Sequence, residues 1–484
     1  MKNKRSGLFF RFFLSVISGL LFVFAFPPFD IWQLAFISFI PLISAGREND
    51  YKNFFVGLTA GFIFYSISFC WLYKLAGPVY LLLALYLSIY WGLFLYLVFA
   101  LPERGRIFTA GFLWFLLEMI VSYLMTGFPW LLSGLSQWKN PYLIKLAGIT
   151  GIYGLSFLII LGNFTIFYSF RRQYLNSWII SLFLFAAIIF IPPSIFYSPH
   201  DYGKSLRVMV VQPNIDAFNR SPYRDIEKIM ALTVKYLNGD RPDIIIWPEG
   251  IYPDIITQNP NLLDNLKKFT KEYNIGLILG TFTGDDSDMY NSAILIEGKS
   301  VQIYNKTHLV PYGEFIPGGR LKPISRIFKN MAGYIPYIKK GKEIVPLSFK
   351  DKNIAILICF ENIFPEITAT LTEKDAEVFI VITNDAWFGN SAGPYQHFAH
   401  NSIRAVESGK YFVQCSLTGI SGIISPDGTV KNLVKSDGIC LFTDGVIFYN
   451  VPVIKGKTFY SIFGNIPLFI LSIVFTGAII CRKT

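Results

Sequence analysis

The stretch Ile354-Ala355-Ile356-Leu357-Ile358-Cys359-Phe360-Glu361-Asn362 decides the predicted fold and the predicted chemistry of this chain. Its first five residues form a short, unbroken apolar run, which is typical of a buried strand. The polar residues that follow mark the point where the chain leaves the sheet. A thiol there is held by a rigid element and faces the carboxyl end of the sheet, where open α/β folds bind their ligands. Cys359 is therefore our first candidate for a reactive residue.

Two other ionisable residues also follow predicted strands. Glu249 comes directly after Ile244-Ile245-Ile246-Trp247-Pro248, and Lys306 comes directly after Val301-Gln302-Ile303-Tyr304-Asn305. A thiol near neutral pH needs an adjacent base or a nearby positive charge to become a nucleophile. We therefore predict Cys359 as the nucleophile and Glu249 as its general base. Lys306 and the backbone N–H of Phe360 would stabilise the tetrahedral oxyanion.

Each of these residues also has a simpler explanation. A cysteine after a strand is often a small buried apolar residue, a lysine in a loop is usually solvated, and a glutamate after Trp-Pro can cap the next helix. Imidazole is a common partner of reactive thiols. A Cys–His pair therefore remains an alternative, with three candidate histidines: His308, His397 and His400.

The composition of the chain excludes an ordinary soluble protein. Of its 484 residues, 53% are hydrophobic and only 15% are charged, and the mean hydropathy is +0.45. The formal net charge of +11 could suggest nucleic acid, but many of the basic residues flank apolar segments, where membrane topology explains them. The sequence has no CxxC or Cys/His zinc spacing and no Walker, GxGxxG or HExxH motif. We therefore expect a membrane protein with no metal, no cofactor and no nucleic-acid partner.

Eight apolar segments approach the ~20 residues that a helix needs to cross a bilayer. The basic residues beside them fall mostly on one side of the membrane if the spans alternate, which places both termini in the cytoplasm. The segment 200–455 then lies outside the membrane on the opposite side. The predicted spans are residues 7–26, 31–46, 53–73, 79–101, 107–126, 150–170, 177–196 and 459–480.

Three further segments allow more than one interpretation. Glu118 is a carboxylate inside a predicted span, where either a functional role or a helix–helix hydrogen bond explains it. Gly127-Phe128-Pro129-Trp130 breaks the helical pattern and suits a re-entrant or an interfacial turn. Residues 316–340 mix basic with apolar side chains, which fits a lid at a lipid surface or a solvated loop.

The pattern changes beyond Leu206 to short apolar runs that alternate with helical segments, which predicts an α/β fold. We predict a transmembrane bundle of about seven helices at 1–199, an extramembrane catalytic domain at 200–455 and a transmembrane helix at 456–484. The predicted strands of the catalytic domain are 208–211, 244–247, 276–280, 292–296, 354–358, 378–382 and 411–415. Its predicted helices are 224–237, 261–273 and 396–408.

Three motifs resemble the signatures of the nitrilase superfamily: Trp247-Pro248-Glu249, the stretch 304–315 around Lys306, and Ile358-Cys359-Phe360-Glu361. The long lysine motif, the eight spans and the stretches 127–130 and 384–389 resemble, within that superfamily, the apolipoprotein N-acyltransferase family. The likeness covers essentially the whole chain. It implies an αββα sandwich that carries a Glu-Lys-Cys triad, joined to an α-helical transmembrane bundle.

The resemblance also implies a function. It predicts a ping-pong acyltransferase that moves a fatty acyl chain from a phospholipid, through a thioester on Cys359, to the α-amine of a diacylated apolipoprotein. The acceptor amine belongs to an N-terminal diacylglyceryl-cysteine. The enzyme would be a multi-pass monomer of the bacterial inner membrane, with its catalytic domain on the periplasmic side. A membrane-tethered amidase or nitrilase is the alternative, because the same triad also serves hydrolysis.

Three residues around the triad gain roles from the resemblance. In the family, the glutamate matching Glu314 assists the site, the glutamate matching Glu361 is needed, and the tryptophan matching Trp387 matters. Phe360 stands where the family usually has tyrosine, so any role of a hydroxyl at that position is absent here. Asn291 matches no position to which we assign a role.

Overall fold

The computed structural model describes residues 2–103, 105–169, 205–216, 219–237, 241–285, 288–317 and 337–481, together with Ile179. The chain separates into two units. The first unit comprises Met1–Ser198, Ser391–Glu407 and Thr458–Thr484, and the second comprises Pro199–Asn390 and Ser408–Lys457.

The described helices and strands follow the chain in this order. The α-helices are α1 (Lys2–Val23), α2 (Ile40–Ala45), α3 (Lys52–Ser68), α4 (Tyr73–Ala76), α5 (Tyr80–Ala100), α6 (Arg106–Tyr123), α7 (Ala147–Tyr168), α8 (Pro222–Leu237), α9 (Pro260–Tyr273), α10 (Pro365–Glu373), α11 (Gly393–Ser408), α12 (Phe459–Phe463) and α13 (Ile466–Cys481). The strands are β1 (Leu206–Gln212), β2 (Ile244–Ile246), β3 (Tyr252–Ile255), β4 (Gly276–Gly284), β5 (Met289–Glu297), β6 (Ser300–Asn305), β7 (Leu347–Phe349), β8 (Lys352–Ile358), β9 (Val378–Thr383), β10 (Phe412–Ser416), β11 (Gly422–Ile424), β12 (Val430–Leu433) and β13 (Gly445–Val451). Short 3₁₀-helices occur at Trp32–Phe36, Cys70–Leu72, Gly77–Val79, Ser133–Gln137, Ile144–Leu146, Ile256–Gln258, Cys359–Ile363 and Asp385–Phe388.

The first unit contains helices long and apolar enough to cross a membrane. Within the described residues there are three, Cys70–Ala100, Arg106–Tyr123 and Ile144–Tyr168. Shorter apolar helices lie at 7–23, 32–45 and 466–475. Three of the eight predicted spans thus correspond to helices of full length in the part of the chain that the structure describes. The predicted span 177–196 lies outside the described residues apart from Ile179.

The predicted span 31–46 is interrupted for a local reason. Its first part is the 3₁₀-helix Trp32–Phe36, and α2 begins separately with proline in its first turn. Proline lacks a backbone N–H and starts a new helix more readily than it continues one. The predicted span 53–73 is shortened similarly, because α3 ends at Ser68 and a 3₁₀-helix follows.

Helices α3 and α5 approach closely because glycines line their contact. A Cβ placed on Gly57 would lie 2.4 Å from the carbonyl oxygen of Trp91, and one on Gly61 would lie 2.8 Å from the Trp91 ring. A Cβ on Gly92 would lie 2.8 Å from the carbonyl oxygen of Phe54. Small residues that let helix backbones approach are typical of packing between membrane helices.

Glu118 is buried in α6 and holds the neighbouring chain by hydrogen bonds. Its Oε1 accepts from Trp114 Nε1 at 2.8 Å and from the backbone N of Ser133 at 2.7 Å. Ser133 begins the 3₁₀-helix Ser133–Gln137. These contacts favour the hydrogen-bonding interpretation of Glu118 over a role in chemistry.

Most of α11 belongs to the first unit, although its residues fall inside the predicted 200–455 segment. Gln396 accepts hydrogen bonds at Oε1 from the indole nitrogens of Trp71 and Trp130, both at 3.1 Å. The ring of His397 stacks on Trp130 at 5.5 Å, and His400 Nε2 lies 2.9 Å from the Trp130 carbonyl oxygen. The helix-breaking segment that ends at Trp130 is thus bound by polar groups of α11.

The second unit is built on two mixed sheets. The first has the order β13-β1-β2-β4-β5-β6, with β3 also paired to β4, and the second has the order β12-β11-β10-β9-β8-β7. Strands β1, β2 and β4 are parallel, as are β8, β9 and β10. The flanking pairs β1–β13, β4–β5, β5–β6, β7–β8, β10–β11 and β11–β12 are antiparallel.

Both faces of the first sheet are buried, which explains its continuous apolar strands. One face packs on the second sheet through residues such as Val210, Ile246 and Ile356. The other face is covered by α8 and α9, which contribute Ile229 and Leu266 to a separate apolar cluster. The parallel strands therefore hold their carboxyl ends in fixed positions, and these ends carry the candidate residues.

Candidate active site

The structure brings Glu249 and Lys306 together at the ends of two strands of the first sheet. Trp247-Pro248 separate Glu249 from β2, and Lys306 directly follows β6. Lys306 Nζ lies 3.5 Å from Glu249 Oε1. Cys359 directly follows β8 of the second sheet, and its thiol is close enough to both residues for their charges to act on it.

The backbone at Cys359 turns sharply. Its φ is +50°, a left-handed conformation that side-chain-bearing residues rarely adopt, and the 3₁₀-helix Cys359–Ile363 begins there. Such a conformation costs about 1–3 kcal/mol and persists only where the surrounding structure fixes it. Part of that fixation comes from Glu361, whose Oε2 accepts a hydrogen bond from the N–H of Ile358 at 2.8 Å.

Glu361 also holds the segment that follows Lys306. Its Oε1 accepts hydrogen bonds from the backbone N and Oγ1 of Thr307, both at 2.7 Å, and from the Tyr304 hydroxyl at 2.9 Å. Burial raises the pKa of this carboxyl, while the donors on Ile358 and Thr307 work in the opposite direction. One buried side chain therefore fixes both the turn that carries Cys359 and the turn that carries Lys306.

Lys306 is a buried cation between two carboxylates. Its Nζ lies 3.0 Å from the carboxylate of Glu314, closer than to Glu249. Burial alone would lower the pKa of Lys306, but the negative charges of Glu314 and Glu249 outweigh burial and raise it. The ammonium group therefore stays charged throughout the physiological pH range.

Asn291 joins the two carboxylates and is the residue that the sequence analysis left without a role. Its Nδ2 donates to Glu249 Oε1 at 2.8 Å and to Glu314 Oε1 at 2.7 Å. Glu249 Oε2 accepts from the N–H of Asn384 at 2.8 Å, and Glu314 Oε2 accepts from the N–H of Val310 at 2.7 Å. Polar Asn291 lies in β5, a largely apolar strand, and this contrast is a sequence signal that could have drawn attention to it.

The surroundings of Cys359 favour the protonated form of its thiol. Burial raises its pKa well above the ordinary value, and the negative charge of Glu249 raises it further. The positive charge of Lys306 lowers the pKa but does not offset these effects, and Asp385 also raises it. A reaction at this sulfur therefore needs a proton acceptor, and Glu249 is one of the charged groups that act on the thiol.

Phe360 and Trp387 occupy contrasting positions. Phe360 is buried, with its ring 5.1 Å from that of Phe364 and 5.9 Å from that of His308. Trp387, in the 3₁₀-helix Asp385–Phe388, is 43% exposed. The missing hydroxyl at Phe360 thus belongs to a packed apolar position, whereas Trp387 offers an aromatic surface to solvent, lipid or substrate.

The three candidate histidines of the Cys–His alternative lie in different surroundings. The ring of His308 packs against Phe364 at 3.7 Å between centroids. His397 and His400 belong to the first unit and contact Trp130 there. The leading electrostatic effects on the thiol come from Glu249, Lys306 and Asp385.

The family models match both parts of the chain. Residues 207–441 match the carbon-nitrogen hydrolase family, and residues 18–165 match the N-terminal domain of apolipoprotein N-acyltransferases. The second unit is accordingly a nitrilase-like carbon-nitrogen hydrolase domain with mixed sheets. A solved carbon-nitrogen hydrolase from Helicobacter pylori is similar with a TM-score of 0.40 at 14% identity, over 52% of this chain and 90% of that one.

Full-length relatives are more informative. The apolipoprotein N-acyltransferase of Geobacter metallireducens is 31% identical over 94% of this chain and 92% of the relative. That of Haemophilus influenzae is 30% identical over 96% of this chain and 94% of the relative. The chain belongs to the apolipoprotein N-acyltransferase family, and it is an acyltransferase.

Proposed function

We propose that this enzyme transfers a fatty acyl chain from a phospholipid to the α-amine of the N-terminal diacylglyceryl-cysteine of an apolipoprotein. Cys359 is the nucleophile, Glu249 the base and Lys306 the cation that stabilises the oxyanion. The observation that carries the proposal is the buried Glu249–Lys306 pair beside the Cys359 thiol. Full-length relatives named apolipoprotein N-acyltransferase support the substrate assignment.

In the first half-reaction, Glu249 takes the thiol proton while Cys359 Sγ attacks the ester carbonyl of the phospholipid. Lys306 Nζ and the N–H of Phe360 then face the tetrahedral oxyanion, where each preorganised donor typically contributes about 2.7–4 kcal/mol to lowering the barrier. The ester C–O bond breaks, and the lysophospholipid leaves with the proton from Glu249. A thioester remains on Cys359.

In the second half-reaction, the acceptor amine attacks the thioester carbonyl. The C–S bond breaks, an amide forms, and the thiol is restored. Ping-pong kinetics are the expected result. Glu314 and Asn291 keep Lys306 and Glu249 in place through both halves.

The membrane part of the proposal explains why a nitrilase-like domain is joined to apolar helices. Moving a lipid chain into water costs roughly 0.8 kcal/mol per CH₂, so the donor must be attacked at the bilayer. We propose the topology of eight spans, with segments 1–199 and 456–484 in the membrane and both termini in the cytoplasm. The catalytic segment 200–455 then faces the periplasm of a bacterial inner membrane, and the enzyme acts as a monomer.

Two surfaces would meet the substrates at the bilayer. The exposed ring of Trp387 is a candidate contact for lipid or acceptor. The proposed lid at 316–340 lies largely outside the described residues, since 318–336 are not among them.

Mass spectrometry of the purified enzyme with labelled phospholipid tests the donor step. An acyl adduct should appear on Cys359, disappear with hydroxylamine, and be absent in Cys359→Ala. Cys440→Ala is the matched control, because Cys440 is a partly buried cysteine in a different segment. Adding a diacylated lipopeptide should move the label to its amine. Release of free fatty acid, with the peptide amine unlabelled, would favour the amidase or nitrilase alternative.

A further inference from the structure

Asp385 is a buried carboxylate beside Cys359 that the mechanism above does not use. It is 1% exposed and directly follows Asn384 at the start of the 3₁₀-helix Asp385–Phe388. A carboxylate oxygen of Asp385 lies within 4.8 Å of Cys359 Sγ. Its charge is one of the leading effects on the thiol.

Thr383 connects the carboxylate to the sulfur. Thr383, the last residue of β9, donates its hydroxyl to Asp385 Oδ1 at 2.8 Å. Thr383 also acts on the Cys359 thiol, because hydrogen bonding to this hydroxyl lowers the pKa of the thiol. The three groups thus form a chain, S–H···O–H···O⁻, along which one proton can pass between sulfur and carboxylate.

The neighbouring backbone leaves space for this carboxylate. A Cβ placed on Gly419 would lie 2.7 Å from both Cβ and Oδ2 of Asp385. Any side chain at position 419 would therefore displace Asp385. The position of the carboxylate beside Cys359 depends on a glycine at that point.

The other carboxylates of the site have different contacts. Glu314 forms an ion pair with Lys306 and accepts hydrogen bonds from Asn291 and from the N–H of Val310. Glu361 holds the turns that carry Lys306 and Cys359. Glu249 and Asp385 are therefore the two carboxylates placed to exchange protons with groups at the sulfur.

The chemistry of the acceptor gives a second proton acceptor a role. An α-amine has a pKa of about 7.7–8.0, so near pH 7 the acceptor arrives mainly as an ammonium. Converting –NH₃⁺ into an amide N–H removes two protons. One returns to the departing thiolate and the other leaves to solvent, but Glu249 can hold only one at a time.

We propose that Asp385, acting with Thr383, is the second proton acceptor of the aminolysis half-reaction; this inference rests on the proposed function. Asp385 takes the first proton from the acceptor ammonium, and the neutral amine attacks the thioester carbonyl. Glu249 takes the second proton from the nitrogen of the tetrahedral intermediate. As the C–S bond breaks, Thr383 passes its proton to the sulfur and receives one from Asp385. Glu249 then releases its proton to solvent.

The test compares two nucleophiles on a preformed acyl-enzyme. The enzyme is acylated with labelled phospholipid, and the thioester is then released by a diacylated lipopeptide or by hydroxylamine. Hydroxylamine is neutral at pH 7 and loses a single proton when it is acylated, so Glu249 alone suffices. Asp385→Asn and Thr383→Val should slow release by the lipopeptide about 10²-fold, within the usual range of general acid–base effects. Release by hydroxylamine should be unchanged.

The pH dependence and a conservative variant sharpen the test. At pH 9 the lipopeptide amine arrives neutral, so the deficit of Asp385→Asn should shrink towards that seen with hydroxylamine. Thr383→Ser keeps the hydroxyl and should restore the rate that Thr383→Val loses. A melting temperature in detergent close to that of the wild type shows that the variants are folded.

Three results would overturn the proposal. Equal losses with both nucleophiles, or a loss confined to acyl-enzyme formation, would give Asp385 a structural role. An unchanged rate with the lipopeptide at pH 7 would give it none in proton transfer. A wild-type enzyme that forms no acyl-enzyme would instead overturn the proposed function, and the present inference with it.

Discussion

The Cys359 thiol has neighbours of both charges, and their balance decides its reactivity. Burial and Glu249 raise its pKa, and Lys306 lowers it. The site therefore resembles a protonated thiol with a base at hand more than a preformed thiolate ion pair. Replacing a charged neighbour should therefore change the pKa of the Cys359 thiol and, with it, the rate at which the thiol reacts.

Lys306→Met should make Cys359 less reactive. Without the ammonium, the pKa of the thiol rises further, so alkylation by iodoacetamide at pH 8 should fall about tenfold for each pKa unit gained. Mass spectrometry of the Cys359 peptide from pH 7 to 10 measures this, with the exposed Cys70 as internal reference. Lys350→Met removes an exposed lysine paired with Asp243 and is the control. Identical pH profiles for Lys306→Met and wild type would contradict the assigned role of Lys306.

Asn291→Asp should shift the pH dependence of acylation upward. The new carboxylate replaces the amide that donates to both Glu249 and Glu314. A third negative charge beside Glu249 and Glu314 disfavours the fully ionised site, so acylation requires a higher pH. The acid limb of the rate of acyl-enzyme formation should move up by about one unit or more.

Asn432→Asp, at an exposed asparagine of β12, is the matched control for Asn291→Asp. It should leave the acid limb in place. An unshifted limb in Asn291→Asp would mean that Asn291 does not set the ionisation of the base.

At the scale of elements, Glu361 joins the chain segments that end β6 and β8. It accepts hydrogen bonds from Thr307, Tyr304 and Ile358. Because Glu361 is bound to both segments, a shift of Lys306 would also move Cys359, and the reverse. Lys306 and Cys359 are therefore coupled in position although they follow strands of different sheets.

Glu361→Gln should destabilise the second unit and slow acylation together. The amide offers one acceptor oxygen where two were used, and it leaves buried donors without partners, at about 1–3 kcal/mol for each. Thermal unfolding in detergent and the rate of acyl-enzyme formation measure the two effects. Glu343→Gln, at an exposed glutamate, should change neither. Normal stability with normal acylation in Glu361→Gln would show that the shared acceptor is dispensable.

Helices α3 and α5 offer a test of packing in the first unit. Gly57→Ala would force its Cβ to 2.4 Å from the carbonyl oxygen of Trp91 unless the helices separate. Overpacking of this kind costs about 1–3 kcal/mol, so the melting temperature in detergent should fall. Gly477→Ala is the control, because no atom lies within 4 Å of its new Cβ. A melting temperature unchanged by Gly57→Ala would mean that the two helices tolerate a wider separation.

At the scale of the molecule, the α/β region was largely predictable from its apolar pattern. The seven predicted strands correspond to β1, β2, β4, β5, β8, β9 and β10, and the three predicted helices to α8, α9 and α11. These elements are long or fully buried, so their composition is distinctive. Strands such as β3 and β7 were missed because they are short and place only part of their surface in the core.

The candidate site was predictable where position in a strand and residue type agreed. Glu249, Lys306 and Cys359 all follow apolar runs, and the structure brings Glu249 and Lys306 within 3.5 Å. Asn291 and Asp385 were given no role, because their importance comes from neighbours distant in sequence. Asn291 bridges two carboxylates that follow different strands, and nothing in its local context reveals this.

The membrane segments were predicted less accurately. Hydropathy alone joined 31–46 into one span, whereas the structure has a 3₁₀-helix and the six-residue helix α2 in that range. Helix α11 reads as an amphipathic helix with a solvated face, yet the polar side chains of Gln396, His397 and His400 are buried. Their partners Trp71 and Trp130 lie more than 250 residues earlier in the chain.

Residues 391–407 belong to the first unit, and this limits how the two units can be expressed separately. Glu407 accepts a hydrogen bond from the backbone N of Ile152 at 2.7 Å, and Gln396 needs both indoles. A gene fragment spanning only 205–457 would therefore expose buried polar side chains of α11 to water, namely those of Gln396, His397, His400 and Glu407. Expression of that fragment should give an aggregation-prone product, whereas replacing 391–407 with a short polar linker should improve its yield in size-exclusion chromatography.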